Sequence, residues 1–423
     1  MNHFEYRHGE MYAEEVPLKR VAKEVGTPAY VYSLATLTRH YTVFDQAFAK
    51  VPHIVCFSVK ANSNLALLRS FAKQGSGFDI VSGGELFRAL KVGADPKRIV
   101  FSGVGKKKDE IEYALNSGIL MFNVESEEEL TVLNEIAAGI GKKAPISLRV
   151  NPDVDPQTHP YISTGMKKAK FGVDIKRSIE VYKKAASLKN LEVVGVDCHI
   201  GSQLTSLTPF VDALAKVREY LDRVLLGEMR KEGAQIRYLD LGGGLGINYN
   251  DENPPLPDDY AKAIIQGLEG LDVTLILEPG RVIVGNAGIL LTEVQYIKET
   301  DTKKFVIIDA GMNDLIRPAL YGSYMAIRPV VETQAETITA DVVGPICETG
   351  DFFAHDREIV RPKRGDLLSV MSAGAYGFTM ASNYNSHPKP PEVLVDGDKY
   401  YVVRKRETFK DLINGEVIPP ALQ

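Results

Sequence analysis

Between residues 54 and 278 short apolar runs alternate with longer amphipathic ones, and this rhythm limits the possible folds more than any other feature of the chain. The apolar runs have strand length: Ile54–Val59, Phe78–Val81, Ile99–Ser102, Ile119–Val124, Ile146–Val150, Val193–His199, Tyr238–Leu241 and Val273–Glu278. Stretches with helical spacing lie between them, at Leu65–Lys73, Glu85–Val92, Lys108–Asn116, Glu125–Ala138, Ile175–Leu188, Pro209–Met229 and Asp258–Leu268. Several begin with polar caps or acids, as at Ser126-Glu-Glu-Glu129. Eight strands, each separated by a helix, is the count of a (β/α)8 barrel. A doubly wound sheet shares the periodicity but has no reason to stop at eight.

The flanks differ. Leu18, Val21, Ala22 and Val25 have helical spacing that Gly26 ends, Pro28–Tyr32 reads as a strand, and Leu34–Lys50 reads as a helix. From Arg281 onward helical periodicity fades. Strand-like pieces take over at Ile289–Ile297, Phe305–Asp309, Ile338–Val343, Leu367–Met371, Glu392–Val395 and Tyr400–Val403, with turn signals such as Asp396-Gly397 between them. The expected organisation is a barrel over 35–280 and a mostly β domain made of 1–34 and 281–423. The strand near Tyr30 is expected to join that second domain.

Composition narrows the function. A length of 423 residues exceeds one ordinary domain, and 44% hydrophobic with 25% charged residues is ordinary for a globular chain. The formal net charge is −5 and no basic block stands out, so nucleic acid is not an expected partner. No run reaches the ~18 apolar residues that a membrane span needs. The start, Met-Asn-His-Phe-Glu-Tyr, does not read as a signal peptide. Three widely spaced cysteines, Cys56, Cys198 and Cys347, suggest neither a disulfide framework nor a metal site, and a cytoplasmic location is expected.

If the barrel forms, catalytic groups belong at the carboxyl ends of its strands. Lys60 ends the first, in His53-Ile-Val-Cys-Phe-Ser-Val-Lys-Ala-Asn62. Asp79 lies in the second, His199 ends the sixth, Asp240-Leu-Gly-Gly-Gly-Leu-Gly246 ends the seventh and Glu278-Pro-Gly-Arg281 ends the eighth. Each has an ordinary explanation: a lysine snorkelling into water, a polar histidine at a strand end, a glycine turn, a capped strand. Convergence weakens these, because in a barrel the five ends face one another. A lysine at the end of a buried strand is costly unless paired, neutralised or converted to a Schiff base. The glycines at 242–244 let backbone N–H groups approach a phosphate, and Ser202 adds a hydroxyl. The run is neither a dinucleotide fingerprint nor a P-loop.

A Schiff-base lysine, a phosphate cradle and a carboxylate together describe a site for pyridoxal 5'-phosphate. In it Glu278 keeps the pyridine nitrogen protonated, so that the ring takes up electrons from a carbanion. Strand alternation sets Asp197 and His199 on one face and Cys198 on the other, in packing. A class I aldolase also uses a barrel lysine but has no need of the carboxylate at a ring nitrogen.

Nearly the whole chain resembles the diaminopimelate decarboxylase family, in the alanine-racemase-like, fold type III group of pyridoxal enzymes. The resemblance rests on Phe57-Ser-Val-Lys-Ala-Asn62, Phe78-Asp-Ile-Val-Ser-Gly-Gly-Glu85, His159-Pro-Tyr-Ile-Ser-Thr-Gly165, His199-Ile-Gly-Ser-Gln203 and Gly242-Gly-Gly-Leu-Gly246. It continues through Glu278-Pro-Gly-Arg281, Asp309-Ala-Gly-Met-Asn-Asp-Leu-Ile-Arg-Pro-Ala-Leu-Tyr321, Cys347-Glu-Thr-Gly-Asp351 and Gly374-Ala-Tyr-Gly-Phe-Thr-Met-Ala-Ser-Asn383. Thr349, where serine is frequent, is a conservative departure.

The resemblance implies Lys60, His199 and Cys347 as catalytic residues, with Cys347 as proton donor. It implies Lys60, Asp79, His199, Ser202, Gly242, Gly243, Gly244, Glu278, Gly280, Arg281 and Tyr376 at the cofactor. It implies Arg281, Arg317, Tyr321, Glu348 and Tyr376 at the substrate, meso-2,6-diaminopimelate, which the family converts to L-lysine and carbon dioxide in the last step of lysine biosynthesis. It also implies a homodimer, with Cys347 and Glu348 reaching the second subunit's site from the β-rich domain.

Substrate choice has its own physical argument. The far end of meso-diaminopimelate carries an ammonium and a carboxylate. Arg281 and Arg317 match a carboxylate, Tyr321 adds a hydroxyl and Glu348 matches the ammonium. An ornithine-type substrate ends in an ammonium alone and leaves the arginines unmatched. Decarboxylases of ornithine, arginine or a carboxylated polyamine share the scaffold, as do amino acid racemases. A non-enzymatic pyridoxal-phosphate carrier is the remaining alternative, and such carriers lack a large C-terminal β domain.

Overall fold

The computed structural model describes residues 2–155, 158–159, 170–221 and 236–423. The chain divides into two compact units, Thr38–Ile283 and Met1–Leu37 with Val284–Gln423.

Thr38–Ile283 contains the expected (β/α)8 barrel. Its parallel strands are His53–Ser58, Gly77–Ile80, Ile99–Phe101, Met121–Val124, Ala144–Asn151, Leu191–Asp197, Tyr238–Asp240 and Thr274–Leu277. The last pairs with the first through Leu275–His53, Ile276–Ile54 and Leu277–Val55, which closes the ring. Strands enclosed on both faces carry unbroken apolar runs, and the helices cover them from outside. Helix starts follow their caps. Asn64 accepts from the Ala66 N–H, Ser82 from Glu85 and Ser126 from Glu129, each cap being worth about 1 kcal/mol. The helix expected from Glu125 therefore begins at Glu127. The helix expected at Pro209–Met229 is seen as Thr208–Tyr220, and residues 222–229 of that expectation lie outside the described residues.

Inside the barrel the side chains change character from one layer to the next. Cys56, Val100, Met121, Val194 and Ile276 pack into one apolar cluster. Two residues further along a strand the next side chain on the same face appears. Those positions hold Ser58 after Cys56, Ser102 after Val100, Asn123 after Met121 and Glu278 after Ile276. An apolar floor thus supports a polar layer at the carboxyl ends of the strands.

The second unit is mostly β. Its main sheet runs Phe352–Val360, Thr337–Val343, Lys304–Ile308, Gly288–Glu299, Ala29–Ser33, Glu392–Asp396 and Lys399–Arg404. The strand near Tyr30 lies inside this sheet, between two partners from much later in the chain. Its core gathers Met11, Val21, Val31, Ile289, Leu291, Val393 and Val395. Phe352–Val360 and the small sheet of Phe4–Arg7, Glu10–Ala13 and Val16–Pro17 have no counterpart in the sequence reading. Among the described residues no helix is long and apolar enough to cross a membrane.

Candidate active site

Lys60 follows the first barrel strand on a single 3-10 turn, Val59–Ala61. Its Nζ donates to Asp79 Oδ2 at 2.7 Å; the lysine side chain is 37% exposed and the aspartate fully buried. The Ser58 hydroxyl donates to the same carboxylate oxygen at 2.9 Å. The amine is thus anchored by a buried carboxylate while its side chain keeps access to solvent, a setting that suits a reacting amine.

His199 stands just past the sixth strand. Its Nδ1 accepts the Gly243 N–H at 3.1 Å, so in the neutral ring the proton sits on Nε2. Burial, helped by the Arg149 and Lys60 charges, holds its pKa well below the ordinary value, and the imidazole is neutral at pH 7. Gly242 makes this approach possible: with φ at +64°, a Cβ there would lie 2.3 Å from His199 Nδ1. Arg281 opens the helix after the eighth strand, and its guanidinium reaches the Ser202 hydroxyl at 3.0 Å and the Tyr249 hydroxyl at 2.8 Å.

The polar layer of the barrel connects these ends. Asn123 Nδ2 lies 3.0 Å from Asp240 Oδ2, 3.1 Å from Ser102 Oγ and 3.4 Å from Glu278 Oε1. Ser102 Oγ donates to Glu278 Oε1 at 3.3 Å, and Ser147 donates to Asn123 Oδ1. Arg149 donates to Glu125 at 3.0 Å and lies 3.8 Å from Asp197. Burial, with the Asp240 and Asp79 charges, pushes the Glu278 carboxyl well above the carboxylate range. Burial and the Asp197 charge push Asp240 up to about 7. Asn123, Ser102, Arg149 and Glu125 were not among the sequence candidates. Their one signal was a polar residue inside an apolar strand, as in Phe122-Asn-Val124 and Ser147-Leu-Arg-Val150.

In the β-rich unit Arg317 and Tyr321 share one short helix, Arg317–Tyr321. Arg317 is buried, with its terminal nitrogens 3.4 Å from Met325 Sδ and 3.4 Å from Ser323 Oγ. Cys347 and Glu348 lie on an exposed loop. Asp351 staples that loop by accepting the Met312 and Ile346 N–H groups, each at 2.6 Å. The Cys347 N–H donates to Asn385 Oδ1 at 2.7 Å, and the Tyr384 hydroxyl donates to Glu348 at 2.6 Å. Tyr376 sits on another loop, half-buried, with φ at +54°, a strained conformation for a side chain of its size. Tight packing holds that loop: a Cβ on nearby Gly374 would lie 1.9 Å from the Val284 carbonyl oxygen. Of the His159–Gly165 motif, residues 160–165 lie outside the described residues.

Charge and donor groups in the barrel fit a pyridoxal phosphate. Asp79, Asp197, Asp240, Glu278 and Glu125 are buried against the cations Lys60 and Arg149. That excess of acid suits a group with a protonatable ring nitrogen. A guanidinium, a hydroxyl and a glycine-lined turn, at Arg281, Ser202 and Gly242–Gly244, suit a phosphate. Asp79 Oδ1 is buried with no hydrogen-bond partner in the protein, room for one more donor. Fold and donor set together define the class of pyridoxal-phosphate-dependent barrel enzymes.

Comparison with known proteins narrows the class. Residues 34–285 match the family model described as pyridoxal-dependent decarboxylase, pyridoxal binding domain. The diaminopimelate decarboxylase of Pseudomonas aeruginosa is 56% identical over 420 residues, 99% of this chain and 100% of that protein. The crystal structure of diaminopimelate decarboxylase from M. jannaschii in complex with L-lysine superposes with a TM-score of 0.93 at 40% identity, covering 99% of each chain. The Helicobacter pylori enzyme, also complexed with L-lysine, gives 0.89 at 44% identity, covering 94% of this chain and 98% of that one. This chain belongs to the pyridoxal-dependent decarboxylases and, within them, to the diaminopimelate decarboxylase family.

Proposed function

We infer that the chain catalyses the pyridoxal-phosphate-dependent decarboxylation of meso-2,6-diaminopimelate to L-lysine and carbon dioxide. The carrying observation is the 56% identity, over 99% of the chain, to a diaminopimelate decarboxylase.

The residue roles are part of this proposal. Lys60 is the amine that holds the cofactor aldehyde, which its contact with Asp79 and its partial exposure support. Ser202, Gly242, Gly243, Gly244, Gly280 and Arg281 hold the phosphate. Glu278 holds a proton at the ring nitrogen, which its raised pKa supports. His199, uncharged, covers the ring face without competing for that proton. The bound cofactor supplies an aldehyde for the substrate amine and a ring that takes up the electron pair left when the carboxylate departs. Arg281, Arg317 and Tyr321 bind the far carboxylate, Glu348 binds the far ammonium, and Tyr376 borders cofactor and substrate. Cys347 holds the proton returned to the carbon that lost its carboxylate.

Homodimer formation and a cytoplasmic location complete the proposal. The dimer is supported by the exposure of Cys347 and Glu348, which leaves them available to a second subunit. The location is supported by three free cysteines.

The test is to incubate the loaded protein separately with meso-diaminopimelate and with ornithine and to follow carbon dioxide. Release from meso-diaminopimelate at least a hundredfold faster supports the reading. Comparable or faster release from ornithine replaces it with an ornithine-type decarboxylase. Proton exchange without carbon dioxide points to a racemase.

A further inference from the structure

The acid assigned to the ring nitrogen does not stand alone. Asn123 is fully buried, and its one amide nitrogen lies 3.0 Å from Asp240 and 3.4 Å from Glu278. Two carboxylates this close cannot both hold a full charge out of water, so between them they retain a proton. The surroundings decide which one. Asp240 Oδ1 accepts the Gly242 N–H at 2.9 Å and Oδ2 faces the Asn123 amide, so its anion is served on both oxygens. Glu278 Oε1 receives a longer contact from Asn123, at 3.4 Å, and a Ser102 hydroxyl at 3.3 Å. The better-solvated anion is Asp240, and the proton belongs to Glu278. The hydrogen bond between the two carboxyls points the same way, lowering the pKa of Asp240 and raising that of Glu278.

The orientation of Asn123 is fixed by the same contacts. Ser147 donates to its Oδ1. A flipped amide would set that oxygen against the Asp240 carboxylate. Other charged groups act on the pair as well: Asp79, Lys60 and Asp197, with Cys56 and Tyr260 buried nearby. Lys60 and the buried Arg149 work against proton retention, and Asp79 and Asp197 support it. Asp240 is the member that lies closer to the bridging amide.

We propose that Asp240 and Asn123 are positioning residues that act through Glu278: the Asp240 charge keeps a proton shared between Glu278 and the cofactor's ring nitrogen, and the Asn123 amide holds the two carboxylates at the distance that makes this work. The proposal rests on the reading that Glu278 faces that nitrogen. Asp240 thus tunes the electron demand of the ring from a second layer, without touching the cofactor.

The test uses full-length Asp240→Asn, Asn123→Ala and Glu278→Gln. Each is titrated with pyridoxal phosphate by absorbance, and the loaded proteins are scanned from pH 6 to 9. Melting curves are recorded without cofactor. For Asp240→Asn the cofactor affinity is expected to fall at least tenfold. The spectral midpoint is expected to move down by a pH unit or more, with kcat reduced and KM little changed. Its cofactor-free melting temperature should match or exceed wild type, because one buried charge is gone. Asn123→Ala should shift affinity and midpoint in the same direction by less. An Asp240→Asn protein with wild-type affinity and midpoint overturns the proposal, provided Glu278→Gln is impaired. A clear fall in the cofactor-free melting temperature also overturns it, by making Asp240 a structural residue. If Glu278→Gln itself binds and titrates as wild type, the underlying reading of Glu278 is the part that fails.

Discussion

The mouth of the barrel keeps Asp79, Asp240 and Glu278 almost entirely out of water, whereas the 345–351 loop of the β-rich unit leaves Cys347 and Glu348 in it. Both regions are held by hydrogen bonds, but in different ways. In the barrel the candidate groups are themselves members of one hydrogen-bonded network. On the loop the fixing is done by a neighbour: Asp351 accepts two backbone N–H groups, and the displayed side chains stay outside the protein interior. Asp240 and Glu278 have had their acidity shifted by their own chain. The loop pair is positioned and faces water, as the proposed reach into a second subunit requires.

Breaking the barrel side of this contrast has the largest effect. Lys60→Ala should lower turnover by roughly 10³-fold or more and abolish the visible absorbance of the loaded protein. Unchanged absorbance with full turnover would show that another amine holds the aldehyde. Cys347→Ala comes next. If it returns a proton, kcat should fall by about 10²–10⁴-fold while cofactor absorbance and melting temperature stay put, because an exposed thiol packs against little. Mixing this variant with Lys60→Ala sharpens the point. Partial recovery of activity is the signature of sites shared between subunits, and no recovery means that each chain completes its own.

Asp351→Ala tests the loop staple. One buried and one partly buried N–H group lose their acceptor, a cost of about 2–4 kcal/mol, read as a shift in the denaturant midpoint with a fall in kcat. The smallest effect is on pH dependence. Burial raises the pKa of Asp314, in the β-rich unit, to about 7. An ordinary aspartate lies near 4, so the folded chain binds the extra proton. The stability this contributes is complete below about pH 4 and is lost as pH rises towards 7. Asp314→Asn should therefore gain on wild type between pH 5 and pH 8 by roughly 1–3 °C in melting temperature. A gap that narrows instead would mean that the carboxylate form is the stabilising one.

How far the sequence could be read depended on which interactions were local. The helix Leu65–Lys73 lies where its spacing put it, because its apolar face and the Asn64 cap are both written within ten residues. The strand Phe352–Val360 escaped notice because His355-Asp-Arg-Glu358 reads as a polar turn, while in the sheet these side chains line an edge open to water. Lys60, the glycines and Glu278 were legible as strand-end residues of unusual type. Asn123 was not, since one polar residue in Met121–Val124 has no meaning until Asp240, 117 positions away, is laid beside it. The interior of the barrel is where long-range pairing carries information that spacing does not.

The place of Ala29–Ser33 in its sheet has a consequence for how the chain is made. This strand is hydrogen-bonded on one side to Gly288–Glu299 and on the other to Glu392–Asp396. A ribosome adding about 5–20 residues per second releases the first partner more than ten seconds after the strand, and the second later still. All eight barrel strands emerge in that interval. During synthesis the barrel has its complete set of elements first, while an apolar strand that precedes it waits with both edges unpaired.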